Sequence, residues 1–191
     1  MKIGIFGGTF NPPHNGHRFL VDHVARRMKF DRMIIIPSYL PPHKEVTQND
    51  PEHRLAMTRL AFPDYTVSDM ELVRKGKSFT VDTLRILSRE NPGDSLYFLC
   101  GSDMFLSMES WRDPAGIFSL ATIVTVARER WVYPKLLWKK WYYYRKYRAH
   151  CKIIFIQPYV LSSSEIRCNK VSMDQVSPAV KHYIMEHKLY D

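Results

Sequence analysis

The sequence predicts an α/β fold with a doubly wound parallel sheet, and two observations carry this prediction. Five short runs of consecutive apolar residues recur along the chain, and amphipathic helical segments separate them. Continuous apolar runs, unlike alternating ones, suit strands that are covered on both faces. Alternation of such strands with helices favours a parallel sheet that binds ligands at the carboxyl ends of its strands.

The elements follow in order along the chain. Strands are expected at residues 3–6, 32–37, 96–100, 122–127 and 152–156, with a weaker strand at 65–69. Helices are expected from about Gly16 to Met28, from Pro51 with Leu55, Leu60 and Ala61 on its apolar face, and over residues 80–88. A final helix should begin at Pro178, capped by Ser177, and bury Val180, Tyr183 and Ile184.

Length and composition predict one soluble domain. The chain has 191 residues, 45% of them hydrophobic, with no internal repeat, so we expect a single domain over residues 1–191. No apolar run approaches the roughly 20 residues that span a bilayer, and Lys2 leads directly into a strand, so we expect an intracellular, cytoplasmic protein without a membrane partner. Three cysteines without paired spacing indicate thiols rather than disulfides, with Cys100 and Cys151 buried.

The chain is strongly basic. Its formal net charge is +9 and its pI is near 9.5. This charge suits a polyanionic partner, either the phosphates of a nucleotide or a nucleic acid, but an excess of Lys and Arg that only solvates the surface explains it equally well.

Residues 131–150, which read WVYPKLLWKKWYYYRKYRAH, combine aromatic rings with bases. The favoured interpretation is an amphipathic helix that packs Leu137, Trp141 and Tyr144 on the protein body or on a second, identical subunit. A surface for single-stranded nucleic acid is the alternative, and a lid over a nucleotide site is a third. We therefore expect no nucleic-acid partner and leave a homo-oligomer open.

A first motif, Gly7-Gly8-Thr9-Phe10-Asn11-Pro12-Pro13-His14-Asn15-Gly16-His17, follows the first strand and enters a helix. Glycines allow the backbone to approach an anion, the helix start presents unpaired N–H groups, and imidazoles add donors. The pattern is neither a dinucleotide-binding glycine fingerprint nor a P-loop. Metal binding by His14 and His17 is the alternative to a phosphate site, although no third ligand stands out.

A second motif, Ser162-Ser163-Ser164-Glu165-Ile166-Arg167, follows the last predicted strand. Ser162 and Glu165 alone would form a capping box. The further hydroxyls and Arg167, which suits bidentate phosphate contact, indicate a second anion site.

These residues carry a resemblance to a known family. Gly7–His17 resembles the GGTFDPxHxGH signature of the HxGH nucleotidylyltransferases, and Leu161–Arg167 resembles the ISSTxIR motif of their nicotinate/nicotinamide mononucleotide adenylyltransferase branch. Pro42-His43-Lys44, Ser78–Leu84, Gly101-Ser102-Asp103 and Trp111 recur in the order that the bacterial nicotinate-nucleotide adenylyltransferases show. Asn11, Leu161 and Ser164 depart from these motifs without changing their character, and the residues after Arg128 match least.

The resemblance implies a Rossmann-like, nucleotidylyltransferase-type sheet and transfer of the adenylyl group of ATP to nicotinate mononucleotide. Direct in-line attack would release pyrophosphate and form deamido-NAD, with Mg²⁺ bound through the ATP phosphates. The implied catalytic residues are His14, His17 and Arg167. The implied ATP and phosphate contacts are Gly7, Gly8, Thr9, Phe10, Lys44, Gly101, Asp103, Ser163 and Ser164. Thr80 and Trp111 are implied for the pyridine nucleotide, while an N-cap at Thr80 or Asp103 and a core position for Trp111 remain alternatives.

Two other functions stay open on the sequence. Phosphopantetheine adenylyltransferases share the His-x-Gly-His motif, although their second motif normally ends in a Val-Lys-like pair where this chain has Ile166-Arg167. The other is a non-catalytic module that binds nucleotides or nucleic acid through residues 131–150.

Overall fold

The computed structural model describes residues 1–41, 50–127, 130–156, 163, 166 and 173–190. The chain divides into two compact units that interleave along the sequence. The first unit comprises Met1–Phe6, His23–Met33 and Phe79–Pro158, and the second comprises Gly7–Asp22, Ile34–Ser78 and Tyr159–Asp191.

Six strands and eight helices are considered below. The strands are β1 (Lys2–Gly8), β2 (Arg32–Pro37), β3 (Thr66–Val67), β4 (Ser95–Gly101), β5 (Ala121–Ala127) and β6 (Cys151–Phe155). The helices are α1 (Asn15–Met28), α2 (Pro51–Ala61), α3 (Met70–Arg74), α4 (Thr80–Glu90), α5 (Ser102–Ser107), α6 (Pro114–Leu120), α7 (Tyr133–Tyr147) and α8 (Pro178–Glu186).

The strands form one six-stranded sheet in the order β3-β2-β1-β4-β5-β6. The pairs β1–β4, β2–β3, β4–β5 and β5–β6 run parallel. Ile3, Ile5, Ile35, Leu99 and Val124 on these strands are at most 1% exposed, as expected for strands with both faces covered. The predicted parallel α/β class is confirmed, and the strand order changes direction where β1 meets β4.

The predicted helices are present, and α8 begins as expected, because the Ser177 hydroxyl accepts a hydrogen bond from the Val180 N–H. The apolar face of α2 differs from the prediction. Leu60 is 38% exposed, whereas Arg54 and Met57 are fully buried. The short helices α3, α5 and α6 were not predicted, because segments of five to seven residues are too short to show a clear helical period.

Helix α7 packs on a different face from the one predicted. Leu136 and Tyr143 are fully buried, and the Tyr143 hydroxyl donates to the Phe105 carbonyl at 2.8 Å. The Tyr143 ring contacts Phe105 and Phe118, with ring centroids 5.2 and 4.6 Å away. The expectation that Leu137, Trp141 and Tyr144 pack on the body is wrong. These side chains are 45%, 58% and 49% exposed.

The carboxylate of Glu109 is a second polar attachment of α7. It accepts hydrogen bonds from Lys139 Nζ at 3.1 Å, from Lys146, and from the hydroxyls of Tyr142 at 2.7 Å and Tyr147 at 3.3 Å. The hydrogen bond from Lys146, followed by those from Tyr142 and Lys139, lowers the pKa of Glu109 to about 2. The ionised carboxylate is therefore the form that the folded state favours.

We expect Glu109→Gln to lower the free energy of unfolding at neutral pH. A carboxyl whose pKa falls from 4.5 to about 2 on folding adds stability above pH 4.5, and this contribution disappears as the pH falls towards 2. The difference in the free energy of unfolding between wild type and Glu109→Gln should therefore shrink as the pH falls from 4.5 towards 2. Urea unfolding at a series of pH values measures it, with the exposed Glu90→Gln as control. A difference that does not vary with pH would contradict the role of the carboxylate charge.

The thiols of Cys100 and Cys151 are buried, as predicted. Burial raises the pKa of Cys151 to about 12, and it raises that of Cys100 further. Cys168 lies outside the described residues. Across the ranges that the structure describes, the search for a helix long and apolar enough to cross a membrane finds none.

Candidate functional site

In the second unit, the two histidines of the first motif meet at the start of α1. Their rings are stacked, with centroids 3.6 Å apart and an interplanar angle of 22°. The His14 N–H donates to His17 Nδ1 at 3.2 Å, and the His17 N–H donates to His14 Nδ1 at 3.3 Å. The His17 N–H also donates to the His14 carbonyl at 2.9 Å, so the two rings supplement the backbone hydrogen bonds at the beginning of the helix.

This reciprocal arrangement determines where each imidazole carries its proton. Because Nδ1 of both rings accepts a backbone N–H, each neutral ring carries hydrogen on Nε2. A proton on Nδ1 would oppose the backbone N–H that points at it. In this tautomer the donor of each side chain is Nε2–H, a group that can donate to a phosphate oxygen. His14 is 5% exposed, so its donor lies in a largely buried setting.

Phe10 supports this pair through packing. Its side chain is 1% exposed, and its ring edge contacts the His17 ring with centroids 5.2 Å apart. The Phe10 backbone has φ 47°, a left-handed conformation. A Cβ on Gly8 would lie 2.8 Å from Phe10 Cζ, so only glycine fits under this ring. Phe10 therefore contributes packing to the histidine pair, and its contact with ATP stays a prediction.

Arg54 was missed by the sequence analysis, and it fixes the loops that follow β1 and β2. Its side chain is fully buried, and its guanidinium donates to the carbonyls of Thr9 at 3.0 Å, Tyr39 at 2.8 Å and Ser38. Burial lowers the pKa of Arg54 from its ordinary value. The available signal was the position of Arg54 one turn before Met57 and Thr58, on the buried face of α2.

Two hydroxyls from the carboxyl-terminal part of the chain bind the turn of the first motif. Ser163 Oγ donates to the Pro12 carbonyl at 2.9 Å, which brings together the two motifs that the sequence singled out. The Tyr190 hydroxyl donates to Asn11 Oδ1 at 2.5 Å. The Ser163 hydroxyl therefore donates its proton to the backbone. It can accept a hydrogen bond from a ligand, or its role is to hold the turn in place.

Three of the predicted site residues, Lys44, Ser164 and Arg167, lie outside the described residues. Gly7 lies near the end of β1 and Thr9 directly follows this strand, and both residues are half-buried. The Gly8 carbonyl accepts from the Ser38 N–H at 2.9 Å, and the Thr9 carbonyl accepts from Arg54. The backbone acceptors of this loop are thus paired within the protein.

In the first unit, Gly101 ends β4 and Asp103 lies in the first turn of α5. A Cβ on Gly101 would lie 2.6 Å from Asp103 Oδ1, so the carboxylate folds back over the end of the strand. Gly101 is the N-cap of α5, and within the described part of the chain no side chain caps this helix. The alternative of Asp103 as a helix cap is therefore wrong, and its exposed carboxylate is a candidate for hydroxyl donors of a ligand.

Thr80 and Trp111 also belong to the first unit. Thr80 is the first residue of α4, and Phe79 is its N-cap, so Thr80 is not the cap that the alternative reading assumed. Trp111 is half-buried, and its ring meets the buried Phe98 ring in a T-shape with centroids 6.2 Å apart. Trp111 is therefore neither a core residue nor fully exposed. Neither residue's role as a pyridine contact is tested by this geometry.

Comparison with known proteins places these features in a family. The sequence model of the cytidylyltransferase-like family matches residues 5–169. A probable nicotinate-nucleotide adenylyltransferase from Syntrophotalea carbinolica is 34% identical over 212 residues, covering 100% of this chain and 97% of that protein. Another from Geobacter sulfurreducens is 47% identical over 132 residues, 67% of this chain. The matched part of the chain spans 61% of the Geobacter protein's length.

Solved structures show the same fold. A Plasmodium falciparum nicotinic acid mononucleotide adenylyltransferase complexed with NaAD matches with a TM-score of 0.76 and 19% identity, over 100% of this chain and 97% of that one. A putative nicotinate-nucleotide adenylyltransferase from Vibrio parahaemolyticus matches with a TM-score of 0.68 and 18% identity, over 99% and 94% of the two chains. The predicted Rossmann-like nucleotidylyltransferase sheet is thereby confirmed.

Proposed function

The chain belongs to the cytidylyltransferase-like family, in its nicotinate-nucleotide adenylyltransferase branch, and from this membership we propose that it transfers the adenylyl group of ATP to nicotinate mononucleotide. An oxygen of the mononucleotide 5′-phosphate attacks the α-phosphorus of ATP. The bond from that phosphorus to the β-bridging oxygen breaks, and pyrophosphate leaves with the electron pair. The product is deamido-NAD, and residues 1–191 act as one nucleotidylyltransferase domain of a cytoplasmic enzyme.

The stacked His14–His17 pair is the observation that carries this proposal. Two Nε2–H donors, held by backbone hydrogen bonds at the start of a 14-residue helix, suit the extra negative charge that develops on phosphate oxygens during in-line transfer. Direct attack requires no protein nucleophile, and neither imidazole needs to act as a base. Rate enhancement comes from positioning and from electrostatic stabilisation.

The remaining roles divide between the two substrates. Ser164 and Arg167 hold the oxygens of the departing pyrophosphate, and Lys44 makes a further phosphate contact. Ser163 supports them by binding the turn of the first motif through the Pro12 carbonyl. Gly101 and Asp103 receive the adenosine ribose, where an exposed carboxylate suits two hydroxyl donors. Thr80 and Trp111 receive the pyridine ring, with Trp111 stacking on it.

We propose that Mg²⁺ accompanies ATP. Among the described residues, no group of three His, Cys, Asp or Glu side chains could hold a metal ion. Mg²⁺ does not require such a group, because it can be bound by the phosphate oxygens of ATP and keep most of its waters. When bound, the ion neutralises charge on the triphosphate.

An acceptor comparison tests the proposal. Purified protein with ATP and Mg²⁺ receives nicotinate mononucleotide, nicotinamide mononucleotide or phosphopantetheine, and pyrophosphate release is followed. We expect release with the mononucleotides, the higher kcat/KM with the nicotinate form, and deamido-NAD as the product by mass. Release with phosphopantetheine alone, or with none of the three acceptors, would overturn the proposal.

A further inference from the structure

Helix α7 and the short 3-10 helix before it (Arg130–Val132) expose four large aromatic side chains. Trp131, Trp138, Trp141 and Tyr144 are 69%, 59%, 58% and 49% exposed. Exposed large rings in such number on one element mark a surface that contacts another molecule. The four rings, with the cations described next, form what we term the aromatic-basic face.

Cations lie directly over these rings. Lys135 Nζ is 5.9 Å from the centroid of Trp131, Arg145 Cζ is 5.8 Å from Trp141, and Arg148 Cζ is 5.7 Å from Tyr144. No ion pair of Lys135, Arg145 or Arg148 occurs among the residues that the structure describes. By contrast, Lys139 and Lys146 both pair with Glu109. Residues 130–150 contain no Asp or Glu, so the charge of this face is uncompensated along the sequence.

A basic cleft adjoins the same helix within the first unit. It has a volume of about 420 Å³ and is lined by Arg27, Lys140 and Lys152, with Met28, Ile153 and Ile154. Its charged lining is entirely cationic. Lys140 precedes Trp141, so the cleft and the rings share α7. The cleft is wide open to solvent, and its positive charge suits phosphate groups.

The charge of the whole chain is concentrated in this unit. Of the 28 Lys and Arg and 19 Asp and Glu residues, the first unit contains 17 and 8, whereas the second contains 11 of each. The His14–His17 pair lies in the neutral unit. The net charge of +9 therefore belongs to the unit that carries α7, and the histidine motif does not account for it.

From these observations we infer that α7 and the adjoining cleft form a binding surface for single-stranded nucleic acid. Phosphates occupy the cleft of Arg27, Lys140 and Lys152, and bases stack on Trp141 and Tyr144. Rings interleaved with unpaired cations are the combination that binds single strands without base-specific contacts. This differs from the expectation from the sequence, where packing of the rings on the body or on a second, identical subunit was favoured.

Two other occupants fit the face less well. A helix that lies in a bilayer interface separates an apolar face, which enters lipid, from a basic face, which stays in water. On α7, entry of Trp141 would carry the Arg145 guanidinium towards the lipid. Pairing of the face with a second copy of itself would oppose identical cations without any carboxylate to meet them.

Binding of a fluorescent 12-nucleotide single strand to the full chain tests the inference by anisotropy. We expect binding at 50 mM salt that weakens as salt rises, with a slope of log K against log salt of about −2 for three phosphates. Trp141→Ala and Tyr144→Ala, each made alone, should weaken binding about 5- to 100-fold. Lys140→Gln should make the slope shallower by about 0.7. Saturating ATP should leave binding unchanged.

The exposed Lys77 provides a matched control, because Lys77→Ala removes one charge at a residue that is not part of the proposed surface. It should leave binding and its salt slope unaltered. Pyrophosphate release should persist in the α7 variants, which reports that they are folded. Absence of binding at 50 mM salt, equal loss in Lys77→Ala, displacement by ATP, or tighter binding to vesicles of anionic lipid would each overturn the inference.

Discussion

His17→Ala should lower kcat about 100- to 1000-fold while changing the KM for ATP little. The loss of a donor that is aimed at developing charge costs the transition state far more than the ground state. In the structure, His17 combines an Nδ1 that accepts the His14 N–H with an Nε2 that carries a proton. Steady-state kinetics with both substrates varied measures the separation between kcat and KM.

Two further variants distinguish the role of Nδ1 of His17 from that of Nε2. His17→Asn keeps an acceptor near Nδ1 and loses the distal donor, so its kcat should fall almost as far as that of His17→Ala. His17→Gln places an amide near Nε2 and should recover part of the rate. His182, whose side chain is 83% exposed, serves as the control in His182→Ala. An undiminished kcat in His17→Ala, or a loss confined to KM, would refute the role in charge stabilisation.

Arg54→Met should lower the free energy of unfolding by about 3 kcal/mol, because buried acceptors that lose their donors cost about 1 to 3 kcal/mol each, and removal of a buried charge offsets part of this. The carbonyls affected are those of Thr9, Ser38 and Tyr39. The loop that contains Thr9 then loses its anchor, so the KM for ATP should also rise. Urea unfolding and initial-rate kinetics measure the two effects.

The conservative variant distinguishes a positioning role from general stability. Arg54→Lys keeps the charge but cannot present the planar fork that reaches three carbonyls, so we expect partial recovery of both stability and KM. Arg59→Met changes the same helix at an exposed side chain that is paired with Asp69 at 3.4 Å, and it should alter neither quantity appreciably. If Arg54→Met lost stability without any change in KM at temperatures where it is folded, Arg54 would not position the loop.

Sequence patterns predicted the sheet well because its strands are continuous apolar runs with both faces buried, as at Ile34-Ile35-Ile36. The same reasoning placed the wrong face of α7 towards the core. Because residues 141–144 are four consecutive aromatic residues, periodicity cannot distinguish Tyr143, which is buried, from Tyr144, which is half exposed. Burial there depends on which side chains find Phe105 and Phe118, and this is a tertiary property.

The candidate site was predictable in its residue types but not in its internal hydrogen bonds. The spacing of His14 and His17 indicated donors at a helix start, yet their mutual acceptance of backbone N–H groups required coordinates. Arg54 was overlooked because an arginine in a helix ordinarily predicts a solvent-exposed position. Its partners are backbone carbonyls, which every residue has, so the sequence does not indicate them.

The turn that holds Asn11 and Pro12 is joined to hydroxyls 179 and 151 residues further along the chain, those of Tyr190 and Ser163. During synthesis this turn leaves the ribosome before Ser163 and Tyr190 do, so these bonds can form only after the next 151 and 179 residues have followed. Contacts of such sequence separation are slow to form, since a long loop must close before they contribute. The histidine turn is thus secured only long after it has been made.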